Sequence, residues 1–524
     1  MKRAGAIAIL CTAAWTSTAG ATGFTDVGED LHPRERAEVV VDGAFRLRQE
    51  ALYNLDLDRG PTPSGDPIFP VPADDPNGQW LRYGDMRLRT DVALYAPGGA
   101  VAVKTRVDVL DDVPLGGSPA GIPSASTTQT TALGDAFRLK RAYGEVKTPI
   151  GLLAAGRMGN QWGLGMLANG GDCADCDSGD AQDRLAFLTP LGGHIFAVAY
   201  DVSAIGPTAY RRDGVRRLGL APSTAVQSIT FAALRWRDAA AIERRANAGK
   251  STFDYGAYVA HRWQKSDAPA EYLPLAAPQQ GSSAQLMARG YRATAVDVWL
   301  RLAGPAYRIE LEAAALFATV DQPSLIPGLL YNQSLYSRQL GAALESEFGA
   351  AVAPLGAGVD LGYASGDPSP GFGAFPSVGA APAKPGDLDG SKANLPYRNR
   401  VDNFRFHPDY RIDRILFREI IGTVTGATYV RPHARWHLMR IATGTLTASI
   451  AAIASWATFA QSTPGGKTPL GLELDPTLSY ASRDGFGVAL EHAVLLPWSG
   501  FDNPALHLTA RPAQLFRVRL MYTF

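Results

Sequence analysis

Residues 514–524 read QLFRVRLMYTF. Phe516, Val518, Leu520, Tyr522 and Phe524 fall on one face, and Leu515, Arg517, Arg519, Met521 and Thr523 on the other. A repeat of two belongs to a strand, whose side chains alternate across the sheet. One face is apolar and rich in aromatics, while the other carries two arginines. Lipid on one side and water on the other suits that pair of faces. The expected fold class is all-β, an antiparallel transmembrane β-barrel.

A strand that ends in Phe524, with apolar residues at alternate positions before it, resembles the assembly signal of bacterial outer-membrane β-barrels. The resemblance implies that Phe516, Val518, Leu520, Tyr522 and Phe524 are read by a barrel-assembly machinery. It also implies a location in the outer membrane of a Gram-negative bacterium, with the apolar face against lipid. The opposite end of the sequence agrees: Lys2 and Arg3 precede an apolar run from Ala4 to Ala14 and small residues ending Ala19-Gly20-Ala21. This reads as a secretory signal peptide over 1–21. Thr12 after Cys11 does not make a lipidation box, so no lipid anchor is expected. The polar, aperiodic stretch 22–38 reads as a short periplasmic segment, and 39–524 as the barrel.

Composition supports one large membrane unit. The chain is 46% hydrophobic, yet those residues are dispersed in alternation and form no run long enough for a transmembrane helix. A barrel is the one spanning structure whose sequence looks this soluble. The formal net charge of zero argues against a nucleic-acid partner. Only nine of the fifty basic residues are lysine. Arginine's planar fork suits a pore wall that meets carboxylate or phosphate.

The remaining strands follow from the same alternation. Val39–Asp56, Gly84–Ala96 and Ala100–Leu110 come first, and the tally over the chain is about eighteen, with sixteen as the fallback count. Connections sort by length. Pro97-Gly98-Gly99, Thr148-Pro149-Ile150-Gly151 and Gly304-Pro305 are tight turns, whereas 57–83, 111–133 and 366–426 are long loops. A membrane barrel places short turns at its periplasmic end and long loops outside.

Three stretches carry a closer resemblance: Arg141 to Gly165 (RAYGEVKTPIGLLAAGRMGNQWGLG), Arg411 to Pro432 (RIDRILFREIIGTVTGATYVRP) and Leu470 to Phe486 (LGLELDPTLSYASRDGF). They resemble the alginate-export class of porin-like barrels, most nearly its deltaproteobacterial, myxobacterial relatives. The resemblance implies an eighteen-stranded monomeric barrel whose charged, arginine-rich lumen takes an anionic polysaccharide. The long insertion before Ala427 departs from that class.

Period two turns Arg46, Arg48, Arg87, Arg89, Lys104, Arg106, Arg138, Arg157, Arg262, Arg301, Arg308, Arg517 and Arg519 inward. Residues four apart on a strand lie about 13 Å apart, so the set spreads along a wall rather than forming one pocket. Such a wall hands on an anionic or saccharide solute through several weak contacts. Alternatively these cations pair with Glu50, Asp91, Asp108, Glu310, Glu312, Glu345, Glu473 and Glu491 and merely hold a wet lumen. Asp172, Asp175, Asp177, Asp180 and Asp183 crowd one loop. The first four offer hard ligands for a structural Ca²⁺, or else form a solvated loop or lumen cap, with Asp183 pairing Arg184 or a pore arginine. No other cofactor is expected. Cys173 and Cys176 either pair across a tight loop or stay as thiols. Tyr410–Ile421 has near-helical apolar spacing, as of an amphipathic helix folded into the lumen or packed over the rim.

Signals for an enzyme are thin. His433 and His437 are too far apart on a strand to share a metal, and no GxSxG, HExxH or P-loop pattern occurs. The reading is a porin-like channel for anionic or saccharide solutes. The alternative is a surface barrel whose long loops bind partners, or an outer-membrane hydrolase with catalytic residues on the barrel wall.

Overall fold

Alternation decides even the alanine-rich segments. Tyr307–Val320 (YRIELEAAALFATV) is rich in helix formers, yet it is a strand in the computed structural model. Its Glu310, Glu312 and Ala314 are buried on one face, while Phe317 stands exposed on the other. Packing on both faces of a pleated wall overrides local propensity. The structure describes residues 24–524 except 25–26, 29, 76–77, 117–136, 206–207, 211–216, 220, 269–285, 327–328, 350–352, 377–379 and 442. The signal-peptide reading of 1–21 lies outside the described residues, and the alternation of the fourth strand, read from Asp135 to Lys147, begins there too.

Eighteen strands in chain order form one closed antiparallel barrel. They are β1 Glu38–Tyr53, β2 Trp80–Tyr95, β3 Val101–Asp108, β4 Arg138–Thr148, β5 Gly151–Gly159 and β6 Ala181–Leu191. β7 His194–Ala204, β8 Val226–Arg235, β9 Thr252–Gln264, β10 Tyr291–Ala303, β11 Tyr307–Val320 and β12 Leu335–Phe348 follow. The wall ends with β13 Leu355–Ala364, β14 Ala427–Ile441, β15 Gly444–Ala457, β16 Pro469–Ser482, β17 Phe486–Pro497 and β18 Ala513–Thr523. β18 closes on β1 in antiparallel register from Ala44 opposite Thr523 to Tyr53 opposite Gln514. Closure leaves no sheet edge. Short connections gather at one end of the barrel and long ones at the other, as the sequence predicts. The longest connection at the turn end forms the helix α1, Ala239–Asn247, with the Asp238 side chain capping the Ala241 amide.

The outward face is apolar. Val41, Phe196, Phe231, Leu340, Ile450, Phe516, Val518, Tyr522 and Phe524 are all exposed there. It is the lipid face of a transmembrane barrel. Phe524 lies over Gly43 of β1, where an added Cβ would come within 2.5 Å of the ring and 2.6 Å of the Arg89 carbonyl oxygen.

Among the described residues, three chain segments reach into the interior. The segment around Phe24, part of the stretch read from sequence as a short periplasmic segment, folds against the inner wall. Phe24 packs in a cluster with Ala154, Met158, Ala186 and Ala197, and the Gly28 amide donates to Glu145. Small inward alanines on β5 to β7 leave the room it takes. The other two segments are the loop 160–180 and the long loop 365–426, which meet inside the barrel.

Candidate functional site: an arginine panel in the lumen

β18, β1, β2 and β3 are neighbours in the wall, so their inward cations share one surface. Arg46 stands opposite Arg87, and Arg48 opposite Arg519. With Arg89, Lys104, Arg106 and Arg517 they form a panel of eight cations. Wall carboxylates interleave: Arg517 Nε is 2.5 Å from Glu50, Arg519 Nη2 2.9 Å from Glu491, Arg89 Nε 2.8 Å from Asp108 and Lys104 Nζ 2.9 Å from Glu145. The inward cations are thus paired along the wall with carboxylates of the neighbouring strands.

The loop 160–180 lays its acids onto this panel. Asp175 lies 3.1 Å from Arg519, 3.2 Å from Arg48 and 3.6 Å from Arg517, and also pairs with Arg418. Asp177 lies 2.7 Å from Arg46, 3.0 Å from Arg48 and 2.6 Å from Arg411. Asp172 pairs with Arg106 and Arg141. Burial alone would raise the Asp175 carboxyl. The guanidiniums of Arg418, Arg519, Arg411 and Arg517 outweigh it and hold the group well below the usual carboxylate range. Asp177 is likewise lowered against its burial, by Arg411, Arg48 and Arg46.

Asp172, Asp175 and Asp177 each face guanidiniums, as in a lumen cap. Asp180 instead faces His407 at 3.4 Å. Among the described residues no three His, Cys, Asp or Glu side chains gather as metal ligands. Asp183 takes the second of its two expected partners, one of the arginines read as pore residues. It pairs with Arg157 at 2.8 Å, and Arg184 takes Asp201 at 2.6 Å. Cys173 and Cys176 are disulfide-bonded, which tightens the loop between Asp172 and Asp177.

The long loop completes the cap. Residues 416–420 make a single π-helical turn, with Ile412, Ile415, Leu416 and Ile420 buried. The amphipathic segment therefore lies within the lumen, the first of the two placements its spacing allows. Glu473 on the wall accepts the amides of Arg414, Ile415 and Leu416 at 2.8, 2.8 and 2.9 Å. It thereby satisfies donors that a helix start leaves open. Asp413 accepts the Phe417 and Arg418 amides. Burial pushes its carboxyl up to about 7 against those two bonds, and nearby Asp475 adds to the rise. Asp409 joins the loops, taking the amides of Asp177, Ser178 and Gly179 at 2.8, 3.0 and 2.7 Å.

The other expected pore residues fall elsewhere. Arg262, Arg301 and Arg308 are on β9 to β11, away from the panel. Arg308 pairs with Glu310 and Glu345, Arg301 with Asp254, and Arg262 hydrogen-bonds Tyr291. Arg138 lies at the loop end with its side chain 65% exposed, near Asp111. Arg157 is corrected outright. Ala154 and Met158 are the buried members of β5, so Arg157, 49% exposed, is on the outer face with Asp183. The glycines at 156 and 159 give that short strand too few large side chains to mark its faces.

Sequence reasoning missed Asp409 because it acts through backbone amides, which leave no spacing signature. It also left Arg411 and Arg418 unassigned to the panel. Their offset from Ile412 and Ile415 on the amphipathic segment was the available signal.

No family model and no curated protein matches the chain. Solved structures similar to it include the outer membrane protein OpdK from Pseudomonas aeruginosa, at 9% identity and a TM-score of 0.45, covering 94% of this chain and 100% of that one. OccK11 (OpdR) from Pseudomonas aeruginosa is similar at 10% identity and a TM-score of 0.43, covering 92% and 96%. A BenF-like porin from Pseudomonas fluorescens is similar at 9% identity and a TM-score of 0.43, covering 94% of this chain and 100% of that one.

Proposed function

We propose that this barrel sits in the outer membrane of a Gram-negative bacterium, loops outward, and works as a porin-like channel for anionic or saccharide solutes. The observation that carries the reading is the panel of Arg46, Arg48, Arg87, Arg517 and Arg519, which already holds two carboxylates of its own chain, Asp175 and Asp177. These acids stand where the carboxylates of an anionic saccharide would bind. A uronate polymer such as the alginate-like substrate suggested by sequence resemblance offers the same group repeatedly. Arg46 Nε and Nη1 and Arg517 Nη2 are buried without a hydrogen-bond partner among the described residues, so the panel has donors to spare. A solute that displaces the loop acids exchanges one set of charge-assisted bonds for another, at little net cost.

A second reading is supported by burial. Arg46 is 1% and Arg517 2% exposed, as in a barrel stopped by its own loops. On that reading the loops serve as a docking surface and nothing is conducted. Planar-bilayer recording of the refolded protein, with reversal potential under a salt gradient, separates the two. Steady conductance with anion preference, reduced by a charged polysaccharide, supports the channel. A folded barrel that stays silent even after deletion of 366–426 leaves only the docking surface.

A further inference from the structure

On the outer face at the loop end, a cavity of about 570 Å³ is lined by three arginines, Arg292, Arg338 and Arg400, together with Phe317, Thr319 and Tyr336. Its location follows from register. Arg292 stands opposite Thr319, and Arg338 opposite Phe317, all within a few residues of the loop ends of β10, β11 and β12. The inward residues of these strands are Asp297, Trp299, Glu312, Gly341 and Ala343, so the opposite parity puts Arg292, Phe317 and Arg338 on the lipid side. Arg400 arrives from the long loop, which bridges beside Tyr336.

Two carboxylates share the site. Asp321 is 3.2 Å from Arg292, and Asp402 is 2.8 Å from Arg400 while also accepting the Arg338 amide. Three guanidiniums against two carboxylates leave an excess positive charge. The Thr319 and Tyr336 hydroxyls add neutral donors. Toward the middle of the membrane the site runs directly into the apolar belt, through Phe317 at 50% and Leu340 at 52% exposure.

Cations and hydroxyls above an apolar wall, at the height where lipid headgroups lie, match one chemistry: a phosphorylated headgroup with its acyl chains attached. We propose that this cavity is a binding site for a phosphorylated, multiply acylated lipid of the outer leaflet. Phosphate is held by Arg292, Arg338 and Arg400, and the chains lie along Leu340 and Phe317. Continuity with the belt is what favours a lipid over a free anion. The proposal rests on the outer-membrane placement but not on conduction.

Native mass spectrometry of the purified full-length barrel tests it, with bisphosphorylated lipid A, dephosphorylated lipid A and inorganic phosphate as probes. Loss of the phosphates removes the charge-assisted bonds to the three arginines and weakens retention roughly tenfold or more. The R292Q/R338Q/R400Q variant should lose the same preference while its bilayer conductance stays that of the wild type. The comparison of the two lipids on the wild-type barrel needs no variant to fold. Equal retention of the two lipids, or undiminished lipid A retention by the variant, overturns the proposal. Competition by inorganic phosphate at concentrations matching lipid A overturns it too, by making the cavity a free-anion site. A silent channel with a phosphate-dependent lipid adduct would count against the conduit alone.

Discussion

Arg519 of the last strand reaches the loop carboxylate of Asp175 at 3.1 Å, so the barrel wall and the cap inside it share a charge pair. Asp175 also meets Arg48, Arg517, Arg411 and Arg418, and no neutral side chain can substitute for it there. Removing one partner of a buried ion pair costs about 3–5 kcal/mol because the remaining charge is left uncompensated. The D175N/D177N protein should therefore fold as a barrel with its cap loosened. Bilayer recording should find conductance raised several-fold and anion preference increased, and an unchanged current would remove these acids from any gating role.

Protonation gives a second handle. The Asp413 carboxyl, pushed up by burial to about 7 from an ordinary 3.8, favours the docked segment when protonated. Its contribution is full below the ordinary value and is lost as pH rises through about 7. Asp175 and Asp177, both lowered, contribute above the ordinary carboxylate range and lose that contribution only in strong acid. Between pH 5 and pH 8 the long-loop segment should become a few-fold more susceptible to trypsin at Arg414 or Arg418. Asp413→Asn should flatten that profile, and a wild-type profile that is already flat would exclude the device.

Gly43 and Phe524 make a third test at the seam. A Cβ at position 43 would meet both the Phe524 ring and the Arg89 carbonyl oxygen, and the latter is backbone that cannot turn aside. Gly43→Val should cost about 1–3 kcal/mol through overpacking. The readout is the fraction of barrel that keeps its folded mobility in unheated gel electrophoresis. Gly98→Ala, with open space around its Cβ, should leave that fraction unchanged.

Arg157 and Asp183 supply a negative control. They are exposed and outside the lumen, where an isolated ion pair is worth about 1 kcal/mol or less. Arg157→Ala should leave conductance and selectivity as they were, whereas Arg46→Ala should reduce anion preference. Equal effects from the two would mean that the panel is not the selective element.

All eighteen strands were legible in the sequence because one face of each meets lipid and alternation is then forced. β11 shows how strong that signal is, since its run of alanines would otherwise read as helix. The inward parity of Arg46, Arg48, Arg517 and Arg519 was legible for the same reason. Not legible was what covers them. Asp409 holding the 177–179 amides, Glu473 holding 414–416 and Phe24 lying on the alanines of β5 to β7 are contacts between segments far apart in the chain, and none has a spacing of its own. Arg157 was misplaced where glycines and a short strand blur the alternation.

The seam between β1 and β18 also brings like charges face to face. Arg48 comes from the first strand and Arg519 from the last, and they stand directly opposite once the wall is complete. Two like charges placed face to face resist the final pairing step unless a counterion is already there. Each arginine has one on the next strand of the wall, Asp85 of β2 at 2.8 Å from Arg48 and Glu491 of β17 at 2.9 Å from Arg519, and Asp175 from the middle of the chain is a further one that both share. The two ends of the wall thus meet with their charges already matched, and the loop carboxylate ties the first strand to the last.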